Sequence, residues 1–112
     1  MVIGSGVIEL WIAESRSLKD KRAVLRSILK RAQNEFNCSI AEVGDNDHLR
    51  RARIGFSMVG NDQRVVNGKI DHLLSFITQM RLAEVIRTKI EITGFSEVMD
   101  SFGVTVEKYG DL

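Results

Sequence analysis

Between residues 7 and 13, apolar and polar positions trade places at each step, with Ile8, Leu10 and Ile12 on one parity and Val7, Glu9 and Trp11 on the other. A period of two places the two sets on opposite faces of a strand, so a half-buried first strand is expected here. Ser17 then stands at an N-cap position, with Asp20 three residues on as a short capping-box acid. Leu18, Leu25, Ile28, Leu29, Ala32 and Phe36 follow at helical spacing and predict a first helix over about residues 18–36, closed by Asn37. Residues 38–43 form a second strand whose facing is mixed, because Ile40 alternates with Ala41 and Val43, and a bulge is expected there.

The turn formers Gly44, Asp45, Asn46 and Asp47 lead into a third strand, in which Ala52, Ile54, Phe56 and Met58 alternate with Arg51, Arg53, Gly55, Ser57 and Val59. Gly60, Asn61 and Asp62 supply the next turn and cap. Val65, Val66, Ile70, Leu73, Phe76, Ile77 and Met80 then fall within a third of the helical circle and predict a second helix over about 62–81. Ile86, Ile90 and Ile92 alternate with Arg87, Lys89 and Glu91 in a fourth strand that Gly94 breaks.

Two strand-helix-strand units joined by a hairpin satisfy right-handed crossover most simply as an α+β, ferredoxin-like βαββαβ sandwich. Both helices would cover one face of a four-stranded antiparallel sheet, with the first and third strands central. This domain takes residues 1–94. The extension over 95–112 contains Val104, Val106 and Tyr109 and is expected to add a short helix or an edge strand. Gly4-Ser5-Gly6 precedes or lies within the first strand and does not join a strand to a helix, so it cannot cradle phosphate as a P-loop does, and flexible backbone is expected there.

With 112 residues, 44% hydrophobic and 28% charged, the chain suits a single globular domain and neither a disordered nor a fibrous class. The single cysteine, Cys38, excludes an internal disulfide and a multi-cysteine zinc site, and fits a reducing compartment. The first ten residues have no basic leader, and Glu9 interrupts their apolar run far short of the ~20 residues of a membrane span. A cytoplasmic protein without membrane attachment is expected.

Charge changes the picture more than composition does. Residues 16–31 hold Arg16, Lys19, Lys21, Arg22, Arg26, Lys30 and Arg31 against Asp20 alone, a net +6, and since the whole chain sums to +1 the rest carries −5. At ~100° per residue Lys19, Arg22, Arg26 and Lys30 form one row beside the apolar face, suited to tracking phosphates. A merely solvated helix face would intersperse acids at i and i+4 for support. Arg50, Arg51 and Arg53 make a second basic patch.

The uncovered sheet face would carry Val7, Glu9 and Trp11 with Arg53, Ser57 and Val59, flanked by Arg87 and Lys89. RNA-recognition sheets stack bases on two or three aromatics, and this face offers Trp11 alone. Burial of Val7, Trp11 and Val59 beneath the extension or a second subunit suits it better. Asp45, Asp47 and His48 group two carboxylates and an imidazole, but Asp and Asn favour turns for backbone reasons, and no distant partner is evident. His72 falls on the polar side of its helix, and Cys38 suits a small core residue better than a nucleophile. No catalytic residue, metal site or cofactor is expected.

The blocks Arg16-Ser17-Leu18-Lys19-Asp20-Lys21-Arg22, Phe36-Asn37, Ala41-Glu42-Val43-Gly44-Asp45, Arg51-Ala52 and Val59-Gly60-Asn61-Asp62, in this order and spacing, resemble the YlxP-like family of small bacterial proteins of unknown function. The resemblance spans about residues 1–93. It implies a ferredoxin-like fold and, because relatives are often encoded beside translation initiation and ribosome-binding factors, a connection with RNA or the ribosome. The chain departs from the family pattern at His48-Leu49, where relatives commonly carry an apolar residue and a tryptophan, and in its extended tail. The expectation is a nonenzymatic cytoplasmic accessory module that binds RNA or a ribosomal subunit through its basic helix. The alternative is a homodimer or protein adaptor that uses the open sheet face.

Overall fold

The computed structural model describes residues 1–95. The chain runs β1 (Val2–Trp11), α1 (Leu18–Glu35), β2 (Ser39–Gly44), β3 (Arg51–Gly60), α2 (Gln63–Gln79) and β4 (Glu84–Gly94). The strands form one antiparallel sheet in the order β2-β3-β1-β4, with β1 and β3 central as the crossover argument requires, and the architecture is the ferredoxin-like α+β fold. Alternation decides which face is covered. Ile8 and Leu10 of β1 and Ala52, Ile54, Phe56 and Met58 of β3 are buried against Leu25, Ile28 and Ala32 of α1 and Val66, Ile70, Leu73 and Ile77 of α2.

Both helices start as their caps dictate. The Ser17 hydroxyl accepts from the Asp20 amide at 3.1 Å, while the Asp20 carboxylate reaches back to the Arg16 amide at 3.0 Å. Asp62 caps α2 by accepting from the Arg64 amide at 2.7 Å. The mixed facing of β2 has the expected cause, a register shift between Glu42 and Gly44 against β3.

The start of β1 corrects the sequence reading. Gly4-Ser5-Gly6 belongs to a strand that pairs from Val2 onward with both neighbours, and is not a flexible lead-in. A Cβ on Gly4 would lie 2.5 Å from Val66 Cγ1 and 2.8 Å from Ile70 Cδ1; one on Gly6 would lie 2.8 Å from both the Phe56 ring and the Lys89 carbonyl. Glycine on the buried parity lets α2 and Phe56 close onto the sheet, which hid the alternation from a hydrophobic count. Beyond β4, the Phe95 amide donates to the Met1 carbonyl at 2.6 Å. The extension's Val104, Val106 and Tyr109 lie outside the described residues.

Candidate functional site

Helix α1 buries Lys21, Leu25, Ile28 and Ala32 and turns Lys19, Arg22, Arg26 and Lys30 outward. These four exposed cations extend about 16 Å along the helix at 1.5 Å per residue, and none forms an ion pair among the described residues. Arg22, Arg26 and Lys30 edge a shallow groove of about 460 Å³ beside β2, with Leu25, Leu29 and Gln33 also lining it. Across the same interface, the Gln33 side-chain amide donates to the Ile40 carbonyl at 3.2 Å.

Lys21, counted with the basic segment, behaves differently. Its side chain is 1% exposed, its Nζ donates to the Asp45 carbonyl, and it lies 3.9 Å from Glu42 Oε2. It fastens α1 to the loop between β2 and β3 rather than adding to the surface field. The signal was present in the spacing, since 21, 25, 28 and 32 trace one buried stripe.

That loop turns at Asp45, whose φ of 58° is left-handed, and closes with the His48 amide donating to the Asp45 carbonyl at 3.1 Å. The His48 Nδ1 accepts from the amides of Arg50 and Arg51 at 3.1 and 2.9 Å, which fixes the imidazole against the start of β3. Arg50 and Arg51 are exposed and form no ion pair among the described residues. Arg53 is already engaged, donating to Glu9 Oε1 at 3.0 Å and lying 3.7 Å from Asp45 Oδ2. On the opposite side of Glu9, Arg87 Nε is 3.7 Å from its second oxygen. Asp45 Oδ2 and Arg53 Nε are buried without a hydrogen bond among the described residues and face each other as an ion pair.

Val7, Trp11 and Val59 share the open face but do not form one patch. Val59 pairs with Ile3 and Trp11 pairs with Arg51, eight positions apart along β1 or about 26 Å at strand spacing, and the Arg53-Glu9-Arg87 row crosses between Trp11 and Val7. Val59 is exposed; Val7 and Trp11 are half-buried. The centre of the face is a shallow depression of about 490 Å³ lined mainly by small side chains such as Ser5, Ser57 and Ala41. Trp11 has an aromatic neighbour that its sequence position did not reveal: the His48 ring stands edge to face with it, centroids 6.0 Å apart at 61°. Only the fold of the loop brings positions 11 and 48 together.

Among the described residues no three histidine, cysteine, aspartate or glutamate side chains converge closely enough to hold a metal ion. Asp45 faces Arg53, and the Asp47 and His48 side chains are exposed. Cys38 is half-buried, and burial pushes its thiol pKa up, which leaves little thiolate at neutral pH. His72 is exposed, its ring against Phe36 with centroids 5.6 Å apart. No helix among the described residues is long and apolar enough to cross a membrane.

Several known proteins share this architecture. Protein YJCS has the same fold at a TM-score of 0.51 with 12% identity, over 84% of this chain and 99% of that one. A crystal structure titled putative chlorite dismutase TA0507 aligns at 0.50 with 14% identity, over 97% of this chain and 51% of that one. At such identities the likeness concerns the fold alone. Sequence similarity goes further: the uncharacterized protein YlxP of Bacillus subtilis (strain 168) is 37% identical over 90 residues, 80% of this chain and 98% of its own. Residues 3–90 match the family described as protein of unknown function, DUF503. These residues include the basic helix, the loop it fastens and both central strands, and the chain belongs to the DUF503 family, that of YlxP.

Proposed function

We propose that this protein is a nonenzymatic accessory module of the cytoplasm that binds structured RNA or a ribosomal surface. Lys19, Arg22, Arg26 and Lys30 contact phosphates, and Arg50 and Arg51 add a second contact. Arg53, held by Glu9 and Asp45, supports the loop that presents them. The observation that carries this reading is the α1 row: four exposed cations with no carboxylate paired to any of them among the described residues. Phosphates arrayed along a nucleic-acid backbone meet such a row at successive positions.

Salt titration of binding to purified ribosomal subunits or structured RNA tests it. Each phosphate contact contributes about 0.7 to 0.9 to the slope of log K against log salt, so the four of the α1 row alone give about −3, and any contact by Arg50 and Arg51 steepens it. Raising salt from about 50 to 200 mM then weakens binding roughly a hundredfold. A slope near zero sinks the proposal.

The second reading, a homodimer or protein adaptor on the open face, is favoured by the depression of small side chains at its centre. Sedimentation separates the two. A self-associating wild type that Ser57→Glu, in that depression, converts to folded monomers supports it, and a wild type that stays monomeric at high concentration rejects self-association.

A further inference from the structure

Trp11, His48, Arg50 and Arg51 meet at the end of the sheet where β1 finishes and β3 begins. Arg51 lies directly across from Trp11 in the ladder, and the Ile12 amide donates to the Arg50 carbonyl at 2.7 Å. The imidazole is locked through Nδ1 by two backbone amides, so it presents a fixed edge to the indole. The centroid separation of 6.0 Å at 61° leaves no slot between the rings, and a planar ligand must lie on the free face of the indole.

Beside that ring is a groove of about 450 Å³, with Trp11 as one wall, Ala13, Leu82 and Ala83 as apolar lining, Glu14 and Glu84 as acceptors, and Thr78 and Arg81 as the remaining polar lining. An aromatic wall with carboxylate acceptors suits a planar heterocycle that carries N–H donors on its edge. Carboxylates accept the cytosine amino group in this way, and adenine and guanine carry amino groups too, whereas uracil has no exocyclic amine. Arg81, which lines the same groove, supplies a cation for a phosphate flanking such a base, and it forms no ion pair among the described residues.

We propose that this groove holds one unpaired, amino-bearing nucleobase of an RNA, stacked on the free face of Trp11, with His48 bracing the indole away from the base and Glu14 or Glu84 accepting from the base's amino group. This rests on the RNA-binding reading above and adds base selection to it. The α1 row supplies affinity without regard to sequence; this groove discriminates an unpaired amino-bearing base from uracil and from paired nucleotides.

Trp11 is the one tryptophan in the chain, so its fluorescence reports the site directly. Wild-type protein is titrated at low salt with oligo-C, oligo-A and oligo-U of eight nucleotides, and with an abasic ribose-phosphate octamer of equal charge. Stacking is expected to quench Trp11 with oligo-C and oligo-A, and to make them bind about tenfold more tightly than the abasic octamer, with oligo-U between. Labelled-RNA anisotropy with Trp11→Ala should show that advantage lost, and Trp11→Phe should retain most of it. Quenching that is absent, or equal affinity for all four ligands, overturns the base site while leaving the salt-dependent row intact. Conversely, if reversal of Lys19, Arg22, Arg26 and Lys30 to Glu leaves binding to structured RNA unchanged while oligo-C still quenches, the row fails and the base site stands.

Discussion

Helix α1 and the open face of the sheet both carry several cations and leave them in opposite electrostatic situations. On the helix, Lys19, Arg22, Arg26 and Lys30 project outward with no acid paired to them among the described residues. On the sheet, Glu9 joins Arg53 to Arg87 and Glu84 and Glu91 share the face with Lys89, while Arg51, at the end of that face, forms no ion pair among the described residues. The first arrangement leaves a field for a polyanion to neutralise; the second is largely neutralised by the protein itself. Counting charges by segment misses this difference, because strand pairing sets it on the sheet and helical phase sets it on α1.

Reversing all four helix cations to Glu is the strongest way to break the contrast. Binding to structured RNA should fall by more than a hundredfold, while urea unfolding moves little, since exposed substitutions of this kind usually lie within about 0.5 kcal/mol each. Arg87→Glu with Lys89→Glu, on the sheet, should change affinity by no more than about threefold. Equal losses per reversed charge on the two faces would show that total charge, and not its pairing, governs binding.

Within α1 itself, Lys21→Ala should act on stability instead of affinity. It removes a buried stem and leaves the Asp45 carbonyl and Glu42 without their partner, a loss of about 3 kcal/mol. Lys19→Ala, two residues earlier and exposed, should cost less than about 0.5 kcal/mol. Chemical denaturation of the two variants is the measurement, and similar midpoints would refute the fastening role of Lys21.

How far the sequence revealed these two regions depends on whether local pattern or long-range register was needed. The alternation around Ile8 and Leu10, the caps at Ser17 and Asp62 and the bulge in β2 are local, and the fold was legible from them. The exposed row on α1 follows from helical phase alone and was legible too; the same phase marked Lys21 as buried, but its charge argued against a core position. Gly4 and Gly6 concealed half of β1 because their role is close packing, which a hydrophobic pattern does not register. The pairing of Arg53 with Glu9, and the meeting of Trp11 with His48, depend on the register of β1 against β3 and on the path of a loop. No spacing within the chain encodes either.

Glu9→Gln probes the sheet side of the contrast. It keeps the shape of the side chain and removes the charge that holds Arg53 and Arg87, and the expected loss of stability is about 1 kcal/mol, because both arginines are partly solvated. A double-mutant cycle with Arg53→Ala should give a coupling of about 0.5 to 1 kcal/mol. A coupling indistinguishable from zero would mean that Arg53 is as free as the helix cations, and the two regions would no longer differ in kind.

The smallest expected effect discriminates most sharply, because it reads one contact at a time. Lys30→Ala and Arg53→Ala each remove one positive charge, so a binding mode governed by net charge treats them alike. If only unpaired cations meet phosphates, Lys30→Ala releases one counterion fewer on binding and makes the salt slope shallower by about 0.7 to 0.9. Arg53→Ala removes a cation that Glu9 and Asp45 already balance, so its slope should match that of the wild type even where the loop is slightly loosened and affinity falls uniformly. Measuring both slopes against the same structured RNA between about 50 and 200 mM salt, the range over which phosphate contacts alter affinity most visibly, decides it. A shallower slope for Arg53→Ala than for Lys30→Ala would move the phosphate contact from the helix to the sheet.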